Sequence, residues 1–276
     1  MDYQLNCVKN YLSLLQLPIN QPSYDYLARI CQAHLSTFPF ENISKLLFFR
    51  NRQIGIPTME QFLSHYKSYH YGGTCYTLNA NLFRLLQALG FDTYPVMLGG
   101  EHLGIIVQMD DEPFYVDCGA TAPLFSPVRL EGPATTSTRF GRDVVLLQPD
   151  DTPPFNYKYI RIIDGEQSSN TWYFHSHDKK TINDFLPALE RSYQLGTTFM
   201  TILRCHLYQP DQKRSVSLVN SRLTVRYDNG ETVVTMLESE QEIEEVLSDE
   251  FKLSRLPVRK AIAVLKQLSV DLFTES

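Results

Sequence analysis

The chain is short of several things, and each shortage narrows what it can be. It has no run of about 18 apolar residues, so no segment is expected to cross a bilayer as a helix. It has no long basic run, and 25 Lys and Arg stand against 31 Asp and Glu for a net charge of -6, which argues against a nucleic-acid partner. The start, MDYQLNCVKN, lacks the basic and apolar stretches of a signal peptide. Cysteine is scarce and unpatterned: Cys7, Cys31, Cys75, Cys118 and Cys205 are odd in number, with no CxxC, so neither a disulfide framework nor a zinc site is expected. Internal repeats and low-complexity linkers are absent. A soluble, acidic, cytoplasmic protein with no metal, no membrane and no nucleic-acid partner is the expectation; oligomeric state is not legible.

What is present is ample material for a core. The 276 residues are 43% hydrophobic and 12% aromatic, enough for two or three subdomains packed as one body. Residues 1–90 read mainly as helix. Asp2 to Leu15 has helical spacing, Ser23 can cap a helix through Leu35, Pro39 to Asn42 reads as a turn, and Thr58 can cap a short helix from Met59 to Tyr66. Residues 91–180 read as short strands: 93–97, 103–109, 114–118, 142–147, 157–163 and 171–175, with a turn at 110–113, suggesting a small antiparallel barrel or sandwich. Residues 181–276 mix types. A helix over 182–195 is interrupted at Pro187, and strands follow at 201–208, 215–219, 222–227 and 231–236, with a hairpin turn at Asp228-Asn229-Gly230. A capping box at Ser239 and Glu242 opens a helix, and 256–268 forms another. The fold class is α+β.

The chemistry concentrates at Tyr71-Gly72-Gly73-Thr74-Cys75-Tyr76-Thr77-Leu78-Asn79. A Gly-Gly turn delivers Cys75 onto the first turn of an amphipathic helix that stops at Gly90. The positive end of a helix macrodipole favours the thiolate, the reactive form of cysteine. Downstream, His102 opens one apolar run and Asp117 closes the next, a set able to act as nucleophile, base and orienting acid. His102 and Asp117 face each other in a hairpin turning at Met109-Asp110; a turn centred on 110–113 slides them apart by several residues. Alternation points Cys118 to the opposite face from Asp117, where it fills space. His175 and His177 have no partners at ligand spacing and read as surface residues.

These motifs resemble those of the arylamine N-acetyltransferase family. The family's RGGxCxExN corresponds to YGGTCYTLN at 71–79, its PFEN stands intact at Pro39 to Asn42 after His34, and its VDxGFG corresponds to Val116-Asp117-Cys118-Gly119-Ala120-Thr121. Weaker matches continue through Asp184-Phe185, Thr198-Phe199, Gly230-Glu231-Thr232 and Glu242, so the likeness covers roughly 1–255. The resemblance implies a helical bundle (1–90), a central antiparallel β-barrel (91–180) and an α/β lid (181–276), with a Cys75-His102-Asp117 triad. It further implies ping-pong transfer of acetyl from acetyl-CoA to an arylamine, arylhydrazine or N-hydroxyarylamine, as in xenobiotic metabolism. Phe40, Ala120, Thr121 and Phe199 match positions lining the substrate cleft.

This chain departs from the family at four places. Tyr71 and Thr77 replace an Arg and a Glu, read as a changed brace that leaves no buried charge unpaired. Ala120 replaces the aromatic of the acceptor pocket and Thr121 the second glycine, which implies a wider pocket and an altered loop near the CoA pyrophosphate. Competing readings are a transglutaminase-like or peptidase-like cysteine hydrolase, a non-catalytic descendant that binds acyl-CoA or an aromatic ligand, and a relative that uses a larger acyl donor or acts as an intramolecular amide synthase.

Overall fold

A computed structural model describes residues 2–130, 135–151, 153–168 and 170–273. The N-terminal part holds α1 (Asp2–Leu14), α2 (Tyr24–Thr37), β1 (Phe40–Glu41), α3 (Ile43–Arg50), α4 (Met59–Tyr69) and α5 (Cys75–Ala88). Strands follow: β2 (Asp92–Leu98), β3 (His102–Met109), β4 (Glu112–Val116), β5 (Val128–Arg129), β6 (Thr136–Phe140), β7 (Asp143–Pro149), β8 (Tyr157–Ile163), β9 (Glu166–Gln167) and β10 (Trp172–Phe174). A 3-10 turn at Ile182–Phe185 leads into α6 (Leu186–Arg191) and α7 (Thr198–Thr201), then β11 (Arg204–Gln209), β12 (Arg214–Val219), β13 (Arg222–Tyr227), β14 (Thr232–Met236), α8 (Glu240–Asp249) and α9 (Val258–Gln267).

The helix caps follow the sequence. Ser23 Oγ accepts from the Tyr26 N–H, Thr58 and Gln61 form a capping box, and Ser239 Oγ accepts from the Glu242 N–H. The helix α3 has no counterpart in the sequence reading. Ile43, Ser44, Lys45, Leu46 and Leu47 are all buried, so the segment lacks the one-sided apolar stripe by which a helix is recognised. Pro187 does not break a long helix; it sits in the first turn of α6, where its missing N–H costs nothing. The segment 201–208 begins as the end of α7, not as a strand.

The expected closed barrel is not formed. Among the described residues there are three separate antiparallel sheets: β2-β3-β4-β5, β10-β8-β7-β6 with β9 on β8, and β1-β11-β12-β13-β14. The first two share a core instead of a ladder. Tyr94, Val96, Ile106 and Tyr115 of one sheet meet Val145, Leu147, Tyr159 and Phe174 of the other. Leu103, Ile105 and Val107, on the opposite face of β3, join the main core with Leu78, Leu82 and Leu86 of α5. Alternate residues of β3 therefore enter two different cores, which is why this strand is apolar on both faces.

Two short elements fix the site. Phe40 and Glu41 pair with His206 and Cys205 of β11 on one side, and Phe40 bridges Gly73 on the other. The expected turn at 39–42 is thus the strap between the C-terminal sheet and the turn before Cys75.

Candidate active site

Cys75 is the first residue of α5, with Thr74 as its extended N-cap. The two preceding glycines are needed for fit. A Cβ on Gly72 would lie 1.8 Å from the Pro39 carbonyl oxygen, and Gly73 has φ +118 with Thr77 packed against it. Gly119 is a third such position: its Cβ would come within 2.7 Å of the Cys75 Cα.

His102 begins β3 and Asp117 follows β4. The hairpin turns at Asp110-Asp111, both left-handed, with Met109 opposite Glu112. Neither turn considered from the sequence is the one formed. Continuing the observed register puts Asp117 opposite Gly104, so His102 and Asp117 are diagonal neighbours on one face, within reach of their side chains. His102 Nε2 lies 2.7 Å from Asp117 Oδ2. The other ring nitrogen is left for Cys75, which lies near enough to act on the His102 charge. A Cβ on Gly104 would meet the Tyr115 ring at 2.7 Å, so its absence makes room for Tyr115, whose hydroxyl donates to Asp117 Oδ2 at 2.8 Å.

Asp117 is fully buried and fully bonded. Its Oδ1 accepts from Asn79 Nδ2 at 2.7 Å and from the Gly119 N–H at 2.8 Å. Burial opposes its charge, but His102, Asn79 and Gly119 outweigh burial and hold the carboxyl below its ordinary range. His102 is the mirror case: burial pushes its pKa down, and Asp117 and Cys75 together push it above the ordinary imidazole range. Asn79, one turn after Cys75, bridges three segments. Besides Asp117 it donates to the Leu103 carbonyl at 2.6 Å and accepts from the Cys118 N–H at 2.9 Å. The Trp172 ring lies flat on His102, centroids 4.4 Å apart and planes within 13°.

Cys75 and His102 open into a cavity of about 680 Å³, and Phe40, Ala120, Thr121 and Phe199 line it too. The Phe40 and Phe199 rings are 5.4 Å apart. Asn42 anchors this wall, with Nδ2 donating to the carbonyls of Phe199 and Ile202 and Oδ1 accepting from the Arg204 N–H at 2.7 Å. Thr121 is left-handed, φ +56, and Arg161 holds it there. One guanidinium donates to Ala120 O at 3.2 Å, Thr121 Oγ1 at 2.8 Å and Thr121 O at 2.6 Å, and pairs with Asp143. Cys118 turns away, its Sγ 3.7 Å from the Cys31 carbonyl.

The brace at the nucleophile turn differs from its expected form. Tyr71 packs among the rings of Phe48, His65 and Tyr69. The fully buried acid beside this turn is Glu41, which accepts from the Ser44 N–H and hydroxyl, and none of the ion pairs among the described residues includes it. A buried acid therefore does stand without a cation, and burial raises its pKa to about 7, against the hydrogen bonds that lower it.

His175 and His177 lie just beyond β10, half-buried and exposed respectively, and no metal-holding cluster occurs among the described residues. Asn79, Tyr115, Arg161 and Trp172 had no assigned role in the sequence reading. Asn79 closes the cysteine motif and Trp172 is the single tryptophan of the chain, yet neither fact predicts a contact.

Several solved structures share this fold. An arylamine N-acetyltransferase from Mycobacterium abscessus is 18% identical, with 96% of this chain and 95% of that one covered and a TM-score of 0.77. That of Mycobacterium marinum in complex with CoA is 18% identical, covering 95% and 98%, TM-score 0.76. An arylamine N-acetyltransferase from Bacillus cereus, described as having a Cys-His-Glu catalytic triad, is 18% identical, covering 90% and 98%, TM-score 0.72. No curated protein matches in a sequence comparison. A family model described as N-acetyltransferase matches residues 23–258, most of the chain and the whole of the site above, and the chain therefore belongs to the N-acetyltransferase family.

Proposed function

We propose that this acetyltransferase moves an acetyl group from acetyl-CoA to an arylamine, arylhydrazine or N-hydroxyarylamine, through a thioester on Cys75. What supports the reading is that Cys75, at a helix N-terminus, and His102, bonded to Asp117, line one cavity. The CoA complex of the Mycobacterium marinum neighbour supports the donor. His102 takes the Cys75 proton, and the thiolate attacks the thioester carbonyl of acetyl-CoA. The Cys75 N–H, in the helix turn whose amides lack intrahelical partners, stabilises the tetrahedral oxyanion. The tetrahedral intermediate collapses, the C–S bond to CoA breaks, and the departing thiolate takes its proton from His102. The acceptor amine then attacks the acetyl-cysteine and gives its proton to His102. Expulsion of Cys75 as thiolate regenerates the pair. Asp117 keeps the imidazole in the tautomer needed at each step and stabilises it when charged.

In this reading residues 1–90 supply the nucleophile, 91–180 the base and acid, and 181–276 much of the cavity wall. Phe40 and Phe199 contact the acceptor ring, and Ala120 and Thr121 border it. The free state of all five cysteines supports a reducing, cytoplasmic location.

Intact mass after brief mixing with acetyl-CoA tests the mechanism. One acetyl adduct on the wild type, absent from Cys75→Ala and discharged by an arylamine or hydrazine, is expected. No adduct on a thiol that iodoacetamide still modifies rapidly would shift the reading to a hydrolase or another donor.

A further inference from the structure

The cavity contains a charge that the acetyl-transfer reaction does not use. Lys45 lies on α3 with 4% of its surface exposed, lining the same cavity as Cys75. Its Nζ donates to Ser192 Oγ at 2.6 Å and sits 3.8 Å from the centre of the Tyr193 ring. Ser192 Oγ already donates to the Leu189 carbonyl, so this contact supplies no negative charge. None of the ion pairs among the described residues includes Lys45. Burial drives its pKa down to about 8, and Cys75 alone among the other groups acts to raise it.

A buried ammonium without an anion is unfavourable, and a site that holds one either neutralises it or recruits a counter-charge. Cys75, once it has given up its proton, supplies part of that charge. Acylation removes it, because a thioester is neutral. The cavity then holds Lys45, Arg191 and Arg204 against the single carboxylate of Glu101, in a chain whose net charge is -6. Arg191 is exposed at the rim, and Arg204 Nη1 is bonded to Ser217. Lys45 exposes the least surface of the three. A ring seated against Phe40 and Phe199 can therefore place an anionic substituent toward it.

We propose that Lys45, with Ser192 and the face of Tyr193, forms a carboxylate subsite, so that the small molecule this cavity prefers carries a carboxylate. The inference rests on the proposed function only for the identity of that molecule. A carboxylate could arrive on the acceptor ring or on a short dicarboxylic acyl group, and the two sources are separable.

The first test needs no turnover. Benzoate and its neutral analogue benzamide are titrated into the whole chain and followed by the fluorescence of Trp172, the single tryptophan, which lines the cavity. Benzoate is expected to bind at least about tenfold more weakly to Lys45→Met than to the wild type, with Lys45→Arg intermediate and benzamide affected equally little in all three. Lys45→Met keeps the volume of the stem, and an unchanged melting temperature checks its fold. Equal benzoate affinity in wild type and Lys45→Met would overturn the subsite. Loss of benzoate binding in a protein that never forms an acetyl adduct would leave the subsite standing and remove the acetyl-transfer reading. Sources are then assigned by kcat/KM for 4-aminobenzoate against its ethyl ester, and by adduct formation from succinyl-CoA against acetyl-CoA. Dependence on Lys45 in the first pair places the carboxylate on the acceptor, and in the second on the acyl group; independence in both would overturn the proposal for catalysis.

Discussion

Two fully buried carboxyl groups flank the turn that presents Cys75, and they are in opposite states. Asp117 faces His102 and three further donors, and it is held below its ordinary pKa. Glu41 receives hydroxyl and amide donors but no ion-pair partner among the described residues, and its pKa rises to about 7. Hydrogen bonds are present at both sites, so hydrogen bonding alone does not decide ionisation in a dry interior. A nearby positive group does, because it offsets the desolvation that neutral donors only reduce. The chain thereby holds two kinds of carboxyl: one kept charged beside an imidazole, and one in a polar strap that ties the turn before Cys75 to a sheet.

The largest break in this contrast comes at Asp117. Asp117→Asn keeps the shape but removes the charge that fixes the imidazole, and acetyl transfer is expected to fall by about 10³- to 10⁴-fold. Steady-state rates settle it; a loss under tenfold would demote the acid to a structural group. Next is the clamp on the loop that follows Asp117. Arg161→Met strands Asp143 and should lower stability by about 3 kcal/mol, whereas Arg161→Met with Asp143→Leu should regain most of that. Chemical denaturation of the three proteins measures it, and equal stability of single and double variants would show that the pair does not act as a unit.

A smaller effect lies at Glu41, and its sign follows from the raised pKa. Between its ordinary value of 4.5 and about 7 the unfolded chain releases a proton that the folded chain keeps, so stability falls as pH rises through this window and then levels. Glu41→Gln should flatten that part of the pH profile; a variant with the wild-type slope would place the titration elsewhere. Asp117 contributes the reverse, stability present at neutral pH and lost as pH falls through its lowered pKa. The smallest expected change is Ala120→Phe, which narrows the cavity. Bulky acceptors should lose about tenfold in kcat/KM relative to small ones; an unchanged ratio would mean that this position does not border the acceptor.

Much of this was legible in order along the chain. The Gly-Gly turn, the helix starting at Cys75 and the caps at Ser23, Thr58 and Ser239 are local effects of glycine geometry and capping, so sequence spacing reveals them. The helix α3 was not legible, because burial on every side erases its period. Closure of the sheets was misread for a related reason. Short apolar strands announce burial but not whether their edges pair or merely pack.

The sequence by itself determined which residues could do chemistry and where each would begin or end an element, since those properties depend on neighbours a few positions away. Tertiary structure alone decided the rest. It turned the hairpin at Asp110-Asp111 and so made His102 and Asp117 diagonal rather than opposite. It brought Asn79, Tyr115 and Trp172 onto that pair, clamped Thr121 with Arg161, and enclosed Lys45 with no ion-pair partner among the described residues. These depend on which distant surfaces exclude water from one another, and no local pattern encodes that.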